Sequence, residues 1–287
     1  MGSAITVIGL PIALGIIMFG LGLSLSPGDF VRIGRRPRAV AVALACQLIL
    51  LPLVCFGLVL LFRLPPVLAV GMMLLAASPG GTTANLYSHL FRGDVALNIS
   101  LTAINSVIAV VSLPIVVNLS LALLQPGGEQ VGLQFSKTVE VFMIVLGPVV
   151  LGMLVRGLKP AFAAAMDKPV RIASVVILTL VIVGAVSAQF DVLMSNLGAL
   201  AGIVVTFCLL SLGIGFLVPR LLKIERSQSV ASAFEVGLHN ATLAIVIARS
   251  VLQNPDMSLP AAVYGVLMFP LAAAFGVLIT RGKKGAQ

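Results

Sequence analysis

The chain has 287 residues, 60% of them hydrophobic and only 9% charged. An average soluble domain carries about 25% charged residues, so no soluble surface can be built here, and the chain reads as an all-α polytopic membrane protein. The net charge of +9 follows from basic residues collecting on the cytoplasmic side of a bilayer and implies no nucleic-acid partner.

In chain order, apolar runs bounded by charges, Gly or Pro predict nine spans, at about 4–25, 38–62, 66–89, 94–124, 135–157, 169–190, 197–220, 228–250 and 258–280. The first has no basic stretch before it and is long enough to cross, so it reads as a span and not as a signal peptide. The fourth is too long for one straight crossing and is expected to tilt, to bend near Pro114 or to run beyond the bilayer. Long uniform runs argue helices over a barrel. Cys46, Cys55 and Cys208 fall inside these runs without CxxC spacing and read as small buried hydrophobes.

Loop charge orients the spans. Fifteen of the 18 Lys and Arg lie in the odd-numbered loops and at the C-terminus; Arg63, Lys137 and Arg249 are the exceptions. With nine spans this predicts an external N-terminus and a cytoplasmic C-terminus in the cell (inner) membrane.

Two spans have an interrupted, polar centre. In "SPGGTTAN" (78–85), Pro79 removes a backbone donor, Gly80 and Gly81 relax the chain, and Thr82, Thr83 and Asn85 bring polar groups to membrane depth. In "FEVGLHNATL" (234–243), Gly237 sits among Glu235, His239 and Asn240. Each is followed by one further helix before its half of the chain closes. This predicts two inverted repeats, of four and five spans, with the paired breaks marking a transporter's binding site.

Glu235 is the only acid near the middle of a span. An ionised carboxylate in hydrocarbon needs a partner, and no mid-span Lys or Arg is available. A cation, a proton or a water-filled cavity remains. Hard cations such as sodium want oxygen ligands, and Asn85, Asn98, Thr102 and unwound carbonyls supply them. Asn98 and Thr102 are four apart and share a helix face, with Asn105 and Ser106 a turn further. Gln47 reads equally as a ligand or as interhelical glue. His239 has three readings: a proton-linked residue, a cavity-lining donor or a structural hydrogen-bonder. His89 falls near a loop end and reads as interfacial. No Walker, H-E-x-x-H or G-x-S-x-G motif is present, so ATP-driven or hydrolytic chemistry is not expected, and the chain does not read as an enzyme.

The stretches "SPGGTTANLYSHLFRGDVALNISLT" (78–102) and "FEVGLHNATLA" (234–244) together resemble the signature motifs of the bile acid:sodium symporter family. The resemblance runs from about residue 10 to the C-terminus. It implies secondary transport of organic anions coupled to sodium, with two unwound helices crossing at mid-membrane. It also implies a core bundle, here about 38–124 and 197–280, and a panel bundle, about 4–25 and 135–190, that rocks against it. The family's first sodium site maps onto Ala84, Asn85, Asn98, Thr102 and Glu235. Its second maps onto Gln47, Glu235, Val236, Leu238 and His239, with Val236 and Leu238 giving backbone carbonyls. Bacterial relatives commonly have Ser at the positions of Ala84 and Asn98 and Gln at that of His239. The first site is therefore expected in altered form, and the second lacks one side-chain oxygen. Arsenite effluxers of the wider superfamily carry a cysteine in the first motif, which "SPGGTTAN" lacks.

The expected function is sodium-coupled symport of a bile-acid-like or small carboxylate anion by alternating access. The substrate is placed near Thr82, Thr83 and Asn240, with no cofactor beyond sodium as the coupling ion. Two rival readings stand beside it: proton coupling through Glu235 and His239, and a non-transporting membrane sensor or scaffold.

Overall fold

The computed structural model of the chain describes residues 10–24, 28, 34, 36–81, 83–124, 135–188 and 190–281. Proline sets several helix boundaries. Helix α1 is Leu10–Ser24. Helix α2, Pro37–Leu61, opens on Pro37, where a missing N–H costs nothing. A π-helical turn, Cys46–Leu50, interrupts it. Pro52 lies just beyond and has no N–H to give the Leu48 carbonyl, so the ladder widens there. Helix α3 is Pro66–Ala77 and α4 is Thr83–Leu90. Helix α5, Val95–Leu124, continues through Pro114 without a break. Then come α6, Phe135–Leu158, α7, Pro160–Ala188, and α8, Phe190–Leu221. Helix α9 is Arg226–Gly237, and α10, Ala241–Val246, runs into a second π-helical turn, Ile247–Val251. Helix α11 is Leu259–Arg281.

Among the described residues all regular structure is helical, apart from one antiparallel bridge between Gly80 and His239. Four helices there are long and apolar enough to cross a membrane: α2, α5, α8 and the stretch Asp256–Thr280. Ile49, Leu53, Leu61, Leu119, Leu154 and Leu180 stand exposed. Such an apolar exterior is solvated by lipid, and the chain is a polytopic membrane protein.

Two helices start earlier than the hydropathy pattern predicts. The span expected from 169 begins at Pro160, and the one expected from 197 begins at Phe190. Hydropathy marks where hydrocarbon ends, whereas helical hydrogen bonds continue into the polar layer. Pro160 suits a first turn, and Asp191 lies in the first turn of α8, where the helix dipole favours an acid.

Helix α1 packs on α6 and α7. It crosses α6 with almost no side chain between the backbones. A β-carbon on Gly22 would run into the Val149 carbonyl, and one on Gly152 into the Phe19 carbonyl. Small residues at such a crossing let two membrane helices gain van der Waals contact. Helix α8 packs on α9 and α11, α3 on α5, and α9 on α4 and α5. The turn from α2 into α3 matches that from α8 into α9. Arg63 N–H donates to Leu60 O and Leu64 N–H to Val59 O; Lys223 N–H donates to Arg220 O and Ile224 N–H to Pro219 O. Arg63 and Lys223 both take left-handed backbone conformations, with φ of 50° and 58°.

Candidate functional site

The interruption between α3 and α4 meets the interruption between α9 and α10. Helix α3 stops because Pro79 follows Ser78, which is extended (φ −70°, ψ 144°) as residues before proline tend to be. Helix α9 stops at Gly237. Each break leaves carbonyls and N–H groups that lipid cannot satisfy, and the two breaks satisfy each other. Gly81 N–H donates to Leu238 O at 2.6 Å, and Asn240 N–H donates to Pro79 O at 2.9 Å. Tyr264 of α11 closes a further gap, donating to Gly237 O at 2.8 Å. Asn240 caps α10, its Oδ1 accepting from Leu243 N–H at 3.0 Å.

Glu235, in the last turn of α9, is 1% exposed. Its Oε2 accepts from the Thr102 hydroxyl at 2.6 Å, and its Oε1 faces Asn105 Nδ2 at 3.5 Å. The Gly80 backbone lies against the carboxylate, with no room for a β-carbon between them. No Lys or Arg among the described residues pairs with it; the ion pair recorded there joins Arg36 to Asp94. Asn98, a turn before Thr102 on α5, gives its Nδ2 to Ala231 O at 2.7 Å. Its Oδ1 is left enclosed and without a partner among the described residues, as are Asn85 Oδ1, Asn105 Oδ1 and Gln47 Oε1. An unpaired buried acceptor costs about 1–3 kcal/mol. Four amide oxygens that lack donors are therefore expensive unless water or a positive centre binds to them. Carboxylate, amide and hydroxyl oxygens are the donor set that a hard cation takes.

The structure brings together Glu235, Thr102 and Asn98, which the sequence grouped, and adds Asn105 and Gly80. Ala84 is fully buried. Gln47 lies in the π-helical turn of α2 and looks elsewhere. Its Nε2 donates to Ser78 O at 3.0 Å and lies 3.4 Å from His239 Nδ1. His239 Nδ1 is also 3.3 Å from Ser78 O. The imidazole stacks on Phe207 and meets Tyr264 edge-on, with ring centroids 5.4 Å away in each case. Its Nε2 is enclosed and without a partner among the described residues. No hydrogen bond joins His239 to Glu235 among the described residues. Val236 and Leu238 are fully buried, and the Leu238 carbonyl is engaged by Gly81. Thr83 is half-buried at the start of α4; Thr82 lies outside the described residues. His89 is exposed in the last turn of α4, as expected of an interfacial residue.

Sequence reasoning passed over Phe207 and Tyr264, which look like ordinary apolar-span residues. The available signal for Asn105 was its spacing of three from Thr102, which puts both on one face.

The profile of the sodium bile acid symporter family matches residues 11–196. The chain is 30% identical over 255 residues to an uncharacterized sodium-dependent transporter, YocS, of Bacillus subtilis (strain 168), covering 89% of this chain and 78% of that protein. It is 30% identical over 258 residues to the probable chloroplastic sodium/metabolite cotransporter BASS1 of Arabidopsis thaliana, covering 89% of this chain and 62% of the plant protein. Against the ileal sodium/bile acid cotransporter of Homo sapiens the identity is 24% over 270 residues, covering 93% and 77%. The chain thus spans less than two thirds of its plant relative and over three quarters of the other two. It belongs to the sodium bile acid symporter family.

Proposed function

We propose that the chain is a sodium-coupled symporter of an organic anion, bile-acid-like or a small carboxylate, working by alternating access. One observation carries the reading: the Glu235 carboxylate is enclosed without a basic partner, next to helix α5, whose amide oxygens lack donors. Sodium would be held by Glu235, Asn85, Asn98 and Thr102, with Asn105 beside them. A second, weaker position would use Gln47, Glu235, Val236, Leu238 and His239. The anion would lie by the crossing, near Thr82, Thr83 and Asn240. The cation offsets the buried carboxylate, so the loaded site is stable in a low-dielectric surrounding and the empty one is not. That difference couples ion to substrate.

In the same reading the chain crosses a cell membrane nine times, with its N-terminus outside. Two inverted repeats of four and five spans build it. The matched turns at Arg63 and Lys223 and the equal 12-residue lengths of α3 and α9 support the repeats. Residues 4–25 and 135–190 form a panel that rocks against a core of 38–124 and 197–280. The close α1–α6 crossing supports a panel that moves as one piece.

The test is uptake of labelled organic anions into proteoliposomes under an imposed sodium gradient. Sodium-dependent uptake by the wild type that Glu235→Gln abolishes, in a variant that remains folded, is the expected result. Normal sodium-driven uptake by Glu235→Gln would overturn the role of the carboxylate.

A further inference from the structure

Arg249 is the basic residue that the proposed cation site leaves unexplained. It lies in the π-helical turn Ile247–Val251 that continues α10 away from the helix crossing. The side chain is half-buried. Its Nε is enclosed and has no hydrogen-bond partner among the described residues, and the hydroxyl of the next residue, Ser250, is in the same condition. No acid pairs with it among the described residues. A guanidinium cannot shed its proton, so it cannot escape the cost of burial by neutralising. An arginine half-buried with an enclosed, unpaired Nε is placed to receive an anionic group.

Its position says which partner. The π-helical turn touches α6, and α10 touches α1 and α7. These three helices belong to the proposed panel, whereas α10 belongs to the proposed core. Arg249 therefore sits on the seam along which an anion would travel to Asn240. The widened turn also changes the angular register of everything after it. Arginine's planar fork of donors matches a carboxylate or sulfonate in two parallel hydrogen bonds, and the Ser250 hydroxyl adds a donor beside it.

We propose that Arg249, with Ser250, binds the carboxylate or sulfonate head of the transported anion at the seam between α10 and α6. This rests on the symporter reading above and adds the residue that reads the charge of the substrate. It also separates the two jobs of the transport path: Glu235 takes the cation, and Arg249 takes the anion.

The experiment compares wild type, Arg249→Lys and Arg249→Gln. Thermal unfolding of the purified protein in detergent is followed with sodium or potassium chloride at fixed ionic strength. Acetate, pyruvate, pantoate or taurocholate is then added as probe, and uptake of the stabilising probe is measured in liposomes of zwitterionic or anionic lipid. Sodium should stabilise all three proteins alike, which shows that the variants fold. The probe that stabilises the wild type should lose its effect on Arg249→Gln and keep part of it on Arg249→Lys. KM for its uptake should rise about tenfold or more in Arg249→Gln, as for loss of a charge-assisted contact, with the half-saturating sodium concentration unchanged. If Arg249→Gln keeps the wild-type response to the probe, the proposal is overturned while the symporter reading stands. It is also overturned if Arg249→Gln changes uptake only in anionic lipid, since the partner would then be a lipid headgroup. If no probe acts on the wild type, and sodium does not either, the symporter reading falls first and this one with it.

Discussion

The Glu235 carboxylate fills the space where a β-carbon on Gly80 would stand. The first break thus packs its backbone against an acid of the second, and only glycine allows the approach. Gly80→Ala should push the carboxylate off Thr102. The expected result is uptake reduced at least tenfold, with the half-saturating sodium concentration raised. Wild-type sodium dependence in Gly80→Ala would show that the carboxylate position is not set by this contact.

Thr102 donates to Glu235 Oε2 at 2.6 Å, while its methyl group faces a packed, fully buried environment. Thr102→Ser keeps the hydroxyl and Thr102→Val keeps the shape. The serine variant should retain sodium-driven uptake. The valine variant should need roughly tenfold more sodium, as for a lost hydrogen bond to a charged group of about 1.5–3 kcal/mol. Equal behaviour of the two variants in sodium titrations would assign Thr102 to packing alone.

His239→Gln replaces a ring that stacks on Phe207 and meets Tyr264 edge-on with an amide beside Gln47 Nε2. Loss of the stacking, about 0.5–1.5 kcal/mol per aromatic pair, should lower the melting temperature by a few degrees. The added oxygen should steepen the sodium dependence of uptake. A change confined to the pH profile would instead make His239 a proton carrier, and unchanged curves in both titrations would leave it as packing.

Gly152 abuts the Phe19 carbonyl across the α1–α6 crossing. Gly152→Leu should force the two helices apart and destabilise the detergent-solubilised protein by roughly 1–3 kcal/mol, the usual cost of overpacking. Sodium binding should persist, because Glu235 and Thr102 lie on other helices. Loss of sodium-induced stabilisation in this variant would mean that α1 and α6 help to shape the cation site.

Much of the site was legible because membrane sequences make polar residues conspicuous. A lone mid-span acid at Glu235, a Pro-Gly-Gly break at 79–81 and the four-residue spacing of Asn98 and Thr102 all stand out against Leu, Val and Ala. What sequence could not give was aim. Gln47 turns toward Ser78 and His239 because Pro52 forces a π-helical turn, and its rotation is not written in hydropathy. The close approach of Gly80 to Glu235 carries no side-chain signal at all. The early starts of α7 and α8 were missed because hydropathy reports lipid contact, not helix length.

The mutual pairing of the two breaks has a consequence for how the protein is made. Ser78 and His239 are separated by 161 residues, so the first break leaves the ribosome long before its partner exists. At about 5–20 residues per second, its exposed carbonyls wait roughly ten to thirty seconds for the strand that completes them. During that interval water or the insertion machinery must hold residues 78–81. The cation site cannot close until α9 has been made, and a chain cut short before α9 leaves the break after α3 without its partner.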